Sequence, residues 1–256
     1  MTTNVRICLL GFGEVGQTLA ADLRERGFRN LIAWDLKFAD RSSDLARHAD
    51  SLSTEVADSA QHAATSASLV LSAVTAAQDV AAAQSVAAHL GTDTLFVDVN
   101  SASPSVKQQA QAVIGTGSGR YVEAVVMAPI APKRIASPIL LGGPHARQFE
   151  ELAHKLGFSG VGVFSDQVGQ ASAAKMCRSV IIKGLEALLT ESLVTARHYA
   201  VEEAVIESLH SLLPGHDWMV RGGVHGVLLA TVRGRLSRDN WAECPKGGSY
   251  KCGGIR

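Results

Sequence analysis

The sequence predicts an α/β protein: a Rossmann-type doubly wound sheet followed by an all-α C-terminal domain. Three observations carry that reading. Short runs rich in Val, Ile and Leu alternate with helical patterns through the first half of the chain. A glycine-rich turn joins the first such run to the first helix. From about Gln170 to His210 strand signals vanish and helical periodicity takes over.

The elements follow in order. The runs at 5–10 (VRICLL), 31–34 (LIAW), 69–74 (LVLSAV) and 94–99 (TLFVDV) are continuous and apolar. Parallel strands covered on both faces have that character. After the first run, Val15, Leu19 and Leu23 recur every four residues, and Gly27 stands where a helix would end. Segment 76–91 repeats this pattern and also stops at a glycine, Gly91. Runs at 121–127, 138–143 and 160–164 extend the sheet, and a boundary falls near 165–169. Residues 1–166 are therefore read as the sheet domain and 167–256 as the helical one. Within the latter, 219–256 has glycine pairs, scattered charge and no sustained period, and is expected to be irregular or incomplete.

Composition narrows the function. The 256 residues carry 24 basic and 24 acidic side chains, which argues against a nucleic-acid or membrane-surface role driven by bulk charge. No stretch approaches the ~20 apolar residues of a spanning helix. The start, MTTNVRICLLGFG, lacks the apolar region of a signal peptide. Cys8, Cys177, Cys244 and Cys252 show no Cys-x-x-Cys spacing, which suits free thiols and predicts a cytoplasmic protein. His198, His210, His216 and His225 have no carboxylate spacing that suggests a metal, and none is expected.

The turn LLGFGEVGQ places Gly11, Gly13 and Gly16 in G-x-G-x-x-G spacing between a strand and a helix. Gly11 permits the tight turn, Gly13 lets the backbone approach a pyrophosphate, and Gly16 lets the helix pack on the strand. The phosphates then meet free N–H groups at the helix start, which makes Gly11, Phe12, Gly13, Glu14, Val15 and Gly16 the candidate binding residues. Asp35 ends the second run 19 residues after Gly16, where a carboxylate receives ribose hydroxyls. That favours NAD, while Lys37, Arg41, Ser42 and Ser43 close behind leave NADP open. Val74 and Thr75 are candidates to line the cofactor cleft through their backbone. Ser103 before Pro104 reads as a helix cap.

Around Lys175 the helical wheel groups Lys175, Arg178, Ser179, Lys183 and Glu186 on one side. Met176, Cys177, Val180, Ile181, Leu185 and Leu188 fill the other. Periodicity alone describes an amphipathic helix with a wet face.

The segments GFGEVG, VDVNSASP, VEAVVMAPIAP, PILLGG, GQASAAKMCRS and KGLEALLTESL add a resemblance. The chain resembles the β-hydroxyacid dehydrogenase superfamily, which includes 6-phosphogluconate and 3-hydroxyisobutyrate dehydrogenases. Within it, the likeness is to phosphogluconate-dehydrogenase-like NAD-binding proteins. The resemblance implies that Lys175 is the general acid/base, with Ser179 one turn on where the family has an asparagine. It implies that Asn100 lies beside the nicotinamide and Ser101 beside the substrate. Met127, Ala128 and Pro129 replace the serine and glycines of the family's acid-binding loop. Ile182 stands where 6-phosphogluconate dehydrogenases carry an acid, which argues against a decarboxylating activity. A homodimer acting on a small-molecule substrate is implied as well. The likeness stops near Trp218, which implies an atypical or truncated C-terminal domain.

The function expected is an NAD(P)-dependent oxidoreductase that transfers a hydride between a nicotinamide cofactor and a small hydroxyacid or related carbonyl compound. Two alternatives stand beside it. An imine-reductase-like NADPH enzyme is suggested by VVMAPIAP. A non-catalytic dinucleotide-binding protein is suggested by Ser179, Ile182 and the tail.

Overall fold

The structure is a computed structural model that describes residues 5–212. The expectations for 219–256, and those for His216, His225, Cys244 and Cys252, lie outside the described residues, as does the side chain of His210. The described chain divides into two compact units between Cys177 and Arg178.

The first unit opens with β1 (Ile7–Leu10) and α1 (Glu14–Glu25). Leu19 and Leu23, one turn apart, bury against the sheet, each worth about 1.5–3 kcal/mol. The helix ends at Arg26, and Gly27 follows in the left-handed region at φ +89°, as its position in the sequence predicts. Then come β2 (Leu31–Trp34), α2 (Asp44–Ser51), β3 (Glu55–Val56), α3 (Ala60–Ala64) and β4 (Leu69–Ser72). Helix α4 (Asp79–Val86) is flanked by 3₁₀ turns at Ala76–Gln78 and Ala87–His89, so the single helix read at 76–91 is three pieces.

β5 (Leu95–Asp98) leads to α5 (Pro104–Gly115), which starts as expected with Pro104 in its first turn and Ser103 Oγ accepting from the Val106 amide. β6 (Arg120–Val126), α6 (Ile130–Lys133), β7 (Ile139–Gly142), α7 (Ala146–Leu156) and β8 (Val161–Ser165) follow. Last in the unit are the opening turns of α8 (Gln170–His198).

The eight strands make one sheet in the order β3-β2-β1-β4-β5-β6-β7-β8. Neighbours are parallel except β6 and β7, which are antiparallel. This matches the doubly wound expectation and adds a reversal that apolar runs alone do not show. Two apolar layers cover it, one including Leu9, Leu71 and Val97 with α1 and α7, the other Leu10, Val70 and Phe96 with α3, α4 and α5.

One register row departs from the apolar rule. Ser72, Asp98 and Glu123 are neighbours across β4, β5 and β6, and all three are fully buried. In-register neighbours on parallel strands point to the same face, so a polar row crosses the face that α4 and α5 cover.

In the second unit, the rest of α8 connects to α9 (Glu202–Leu212) through a turn at Ala200, whose φ is +57°. Arg197 pairs with Glu202 across that turn at 2.6 Å. The apolar side of the α8 wheel remains at the surface: Val180, Ile181 and Leu188 are exposed, as is Met176 just before the division. Among the described residues, no helix is long and apolar enough to cross a membrane, and no three metal-ligating side chains gather.

Candidate active site

The glycine turn has the geometry its spacing predicts. Gly11 has φ +94°, and a Cβ there would sit 2.6 Å from the Ala73 carbonyl oxygen. A Cβ on Gly16 would lie 2.3 Å from the Gly11 carbonyl oxygen, so only glycine lets α1 approach β1 this closely. At Gly13 the opposite holds: an added Cβ would meet no described atom within 4 Å, and the residue is exposed. Gly13 is the N-cap of α1 and supplies no side-chain cap, so the N–H groups of Glu14 and Val15 begin the helix without one. An open face, uncapped donors and the helix dipole together make a cradle that fits a dinucleotide pyrophosphate.

Phe12 contributes differently. Its ring is buried against Phe38 with centroids 5.8 Å apart, and its N–H donates to Asp35 Oδ2 at 2.8 Å. Asp35 Oδ1 accepts from the Lys37 amide at 2.9 Å, which caps a 3₁₀ turn at Leu36–Ala39. The Asp35 carboxylate is thus fixed beside the glycine turn, with lone pairs left for further donors. Lys37 is exposed. Arg41, Ser42 and Ser43 are held by the protein itself. Arg41 donates to the carbonyls of Val56 at 2.8 Å and Ala57 at 3.1 Å and pairs with Asp58. Ser42 bonds Asp40, and Ser43 caps α2.

The next strand ends complete the edge. A Cβ on Gly11 would lie 3.0 Å from Val74 Cγ1, which places Val74 against the turn. The Val74 amide donates to Asn100 Oδ1 at 2.6 Å, and Asn100 Nδ2 donates to Ser72 Oγ at 3.1 Å. Asn100 is only 3% exposed with both ends of its amide engaged, so it clamps the ends of β4 and β5 together. Thr75 and Ser101 beside it are exposed.

Lys175 reaches this edge. Its Nζ donates to Ser101 Oγ at 2.8 Å, although 74 residues separate the two. Glu123 is what aims the lysine's helix. From β6 it accepts from the Gly169 amide at 2.8 Å and the Ser172 amide at 2.9 Å, satisfying donors at the start of α8. Gly142 makes room for that carboxylate, since a Cβ there would lie 2.3 Å from Glu123 Oε2. Gly169 adopts φ +101°, so glycine is needed where the chain turns into the helix.

Met127, Ala128 and Pro129 follow the end of β6, and the Met127 amide donates to the Pro138 carbonyl at 2.8 Å. Asp22 on α1 holds the far side of this loop: it pairs with Arg134 at 2.5 Å and accepts from the Ile135 amide at 2.9 Å. Arg134 itself has φ +52°. Ser179 lies beyond the unit division, on the second part of α8.

The sequence reading did not single out Asp98, Lys107, Tyr121 or Glu123. Lys107 is fully buried, with Nζ 2.5 Å from Asp98 Oδ1, and Tyr121 donates to Asp98 Oδ2 at 2.7 Å. Asp98 and Glu123 carry one sequence signal, a charged residue inside an otherwise apolar run, as in LFVDV and YVEAVV; Lys107, in the polar stretch SVKQQAQ, and Tyr121 carry none.

The strand order, the glycine cradle and the fixed carboxylate after β2 define a dinucleotide-binding α/β protein. Comparison with known proteins agrees. Residues 6–164 match the family of the NAD binding domain of 6-phosphogluconate dehydrogenase, and the chain belongs to that family.

Three similar proteins have no assigned activity. One is an uncharacterized 28.5 kDa protein of Methanothermus fervidus, 26% identical over 80% of this chain and 76% of its own. The second is a conserved hypothetical protein of Sinorhizobium meliloti 1021, 38% identical over 85% of this chain and 73% of its own, with a TM-score of 0.72. The third is the conserved protein MTH1747, 30% identical over 90% and 82%, with a TM-score of 0.72. Its structure is described as similar to 3-hydroxyacid dehydrogenases.

At lower identity the fold alone is shared. A Mycobacterium tuberculosis 3-hydroxyisobutyrate dehydrogenase has 19% identity over 84% and 72% of the chains and a TM-score of 0.70. A Myxococcus stipitatus imine reductase variant in complex with NAD+ has 20% over 91% and 77% and a TM-score of 0.67. Family and fold place the chain among oxidoreductases that use a nicotinamide cofactor.

Proposed function

We propose that the chain is an NAD(P)-dependent oxidoreductase acting on a small hydroxyacid or related carbonyl compound, with Lys175 as general acid/base. The observation that carries this reading is the 2.8 Å bond from Lys175 Nζ to Ser101 Oγ. It joins an ionisable amine to the strand edge that ends in Val74 and Asn100, beside the glycine turn. The nicotinamide ring, when bound, supplies hydride exchange with the carbinol carbon. Lys175 Nζ takes the hydroxyl proton during oxidation and returns one during reduction, and Ser101 Oγ orients it. Gly11, Gly13, Gly16 and the uncapped amides of Glu14 and Val15 hold the pyrophosphate end, while the Phe12 amide, committed to Asp35, fixes that carboxylate beside it.

NAD is the cofactor the surroundings favour. Asp35 offers acceptors to ribose hydroxyls and repels a 2′-phosphate, while Arg41 is engaged by two carbonyls and Asp58. Titration with NADH and NADPH tests this, and tighter binding of NADPH would overturn it. Lys175→Met tests the chemistry: turnover is expected to fall roughly 10²–10⁴-fold with cofactor affinity retained. Unchanged turnover would remove Lys175 from the mechanism. Exposed Val180, Ile181 and Leu188 support a homodimer as the working form, which light scattering at the monomer mass would refute.

A second reading rests on Met127, Ala128 and Pro129. Their side chains offer no hydrogen-bond donor to a substrate carboxylate, which suits an imine better than a hydroxyacid. Cofactor oxidation with a cyclic imine but not with ketoacids would select it.

A further inference from the structure

Behind the strand edge lies a group of buried charges that the proposed chemistry does not use. Lys107 on α5 donates to Asp98 Oδ1 at 2.5 Å and to the Asp98 carbonyl at 3.2 Å. Asp98 Oδ1 also accepts from the Asn100 amide at 3.0 Å, and Asn100 in turn holds the Val74 amide. Lys107 is therefore two side chains away from the backbone that would line the cofactor cleft. Asp79, the first residue of α4, is also fully buried, with Oδ2 3.7 Å from Lys107 Nζ. Neither Asp79 oxygen has a well-formed hydrogen bond among the described residues. An unsatisfied buried carboxylate is costly, so something must recompense its place beside this chain of bonds.

We propose that Lys107 is a positioning residue for the dinucleotide: through Asp98 and Asn100 it holds the Val74 amide in place, and the neighbouring Asp79, when ionised, loosens that hold by competing for the ammonium. The proposal rests on the dinucleotide reading above. The charged groups that face Asp79 are Asp98 from β5 and Lys107 from α5, with the Tyr121 hydroxyl of β6 beyond Asp98. Helix α3, which also packs on α4, carries only His62, and that ring turns to Glu55 and Asp58. Burial pushes the Asp79 carboxyl up to about 7, repulsion from Asp98 adds to this, and Lys107 opposes it. With the proton on, one ammonium serves one carboxylate and Lys107 belongs to Asp98. With the proton off, two carboxylates compete for Lys107, and its hold on Asp98, and so on Asn100, loosens.

The test is NADH affinity of the full chain against pH, for the wild type and for Asp79→Asn. Between about pH 6 and pH 8 the wild-type Kd is expected to rise roughly three- to tenfold, the size of a partly lost charge-assisted bond. Asp79→Asn, which cannot titrate, keeps the tighter, low-pH affinity throughout. Asp79→Ala serves as a second non-titrating variant if the amide does not fold. Parallel pH curves for the wild type and the variants would overturn the positioning role alone. Failure to bind NADH or NADPH at any pH would overturn the dinucleotide reading, and the positioning role with it.

Discussion

At Gly16 an added methyl group would lie 2.3 Å from the Gly11 carbonyl oxygen, whereas at Gly13 it would meet no described atom. The two glycines of one motif are thus needed for different reasons, and alanine at each should separate them. Gly16→Ala is expected to lose about 1–3 kcal/mol of stability, because the clash is with backbone that cannot swing away. Gly13→Ala is expected to change stability by no more than about 0.5 kcal/mol. Its cofactor affinity should nevertheless fall roughly tenfold or more, since the methyl fills the space a pyrophosphate needs. Thermal melts with NADH titration of both variants check this, and an unaltered affinity in Gly13→Ala would refute the cradle. These glycines were legible in the sequence because strand, turn and helix are consecutive there. Asn100 stands out in the sequence at the end of a strand, but its work as a clamp on Ser72 and Val74 was not legible, because those partners come from a neighbouring strand.

Helix α8 shows what the element scale adds. Its sequence begins with Gly169 and small residues and reads as a helix without difficulty. What caps it is Glu123, 46 residues earlier, on the strand that β7 joins in antiparallel fashion. In YVEAVV that glutamate reads as an interruption of an apolar run, and only the register shows it facing the start of α8. Glu123→Ala should leave the Gly169 and Ser172 amides buried without an acceptor, at a cost of about 2–3 kcal/mol. Because Lys175 sits in the second turn of the same helix, turnover should fall as well, while NADH affinity changes little. Hydrogen exchange supplies the direct check: amides from 169 to 173 should lose protection in the variant. Equal protection would mean that α8 is held by something other than Glu123. The loop at Met127–Pro129 has a similar long-range support, in the pairing of Asp22 on α1 with Arg134.

Across the whole molecule, the doubly wound sheet was readable because buried parallel strands are continuous apolar runs, but the two-residue β3 and the reversal at β7 were not, and the α4–α5 face was not readable because its polar row assembles from separate strands. Ser72, Asp98 and Glu123 come into register only when β4, β5 and β6 pair, and Lys107 reads as a solvated charge until α5 packs over them. This buried charge makes the stability of the fold depend on pH with a definite sign. The Asp79 carboxyl has its ordinary value of 3.8 in the unfolded chain and about 7 in the fold, chiefly because of burial. Below 3.8 both states hold the proton and folding pays no ionisation cost there. As pH rises toward 7 the unfolded chain releases its proton while the fold retains it, so stability is lost progressively and then levels off above the folded value. Asp79→Asn has no such proton. The variant should therefore gain on the wild type from about pH 4 to about pH 7, by a few degrees in Tm, with a constant difference above that. Melting curves across that range without cofactor decide it. Wild-type and variant curves that stay parallel from acid to neutral pH would show that Asp79 ionises in the fold as it does in water.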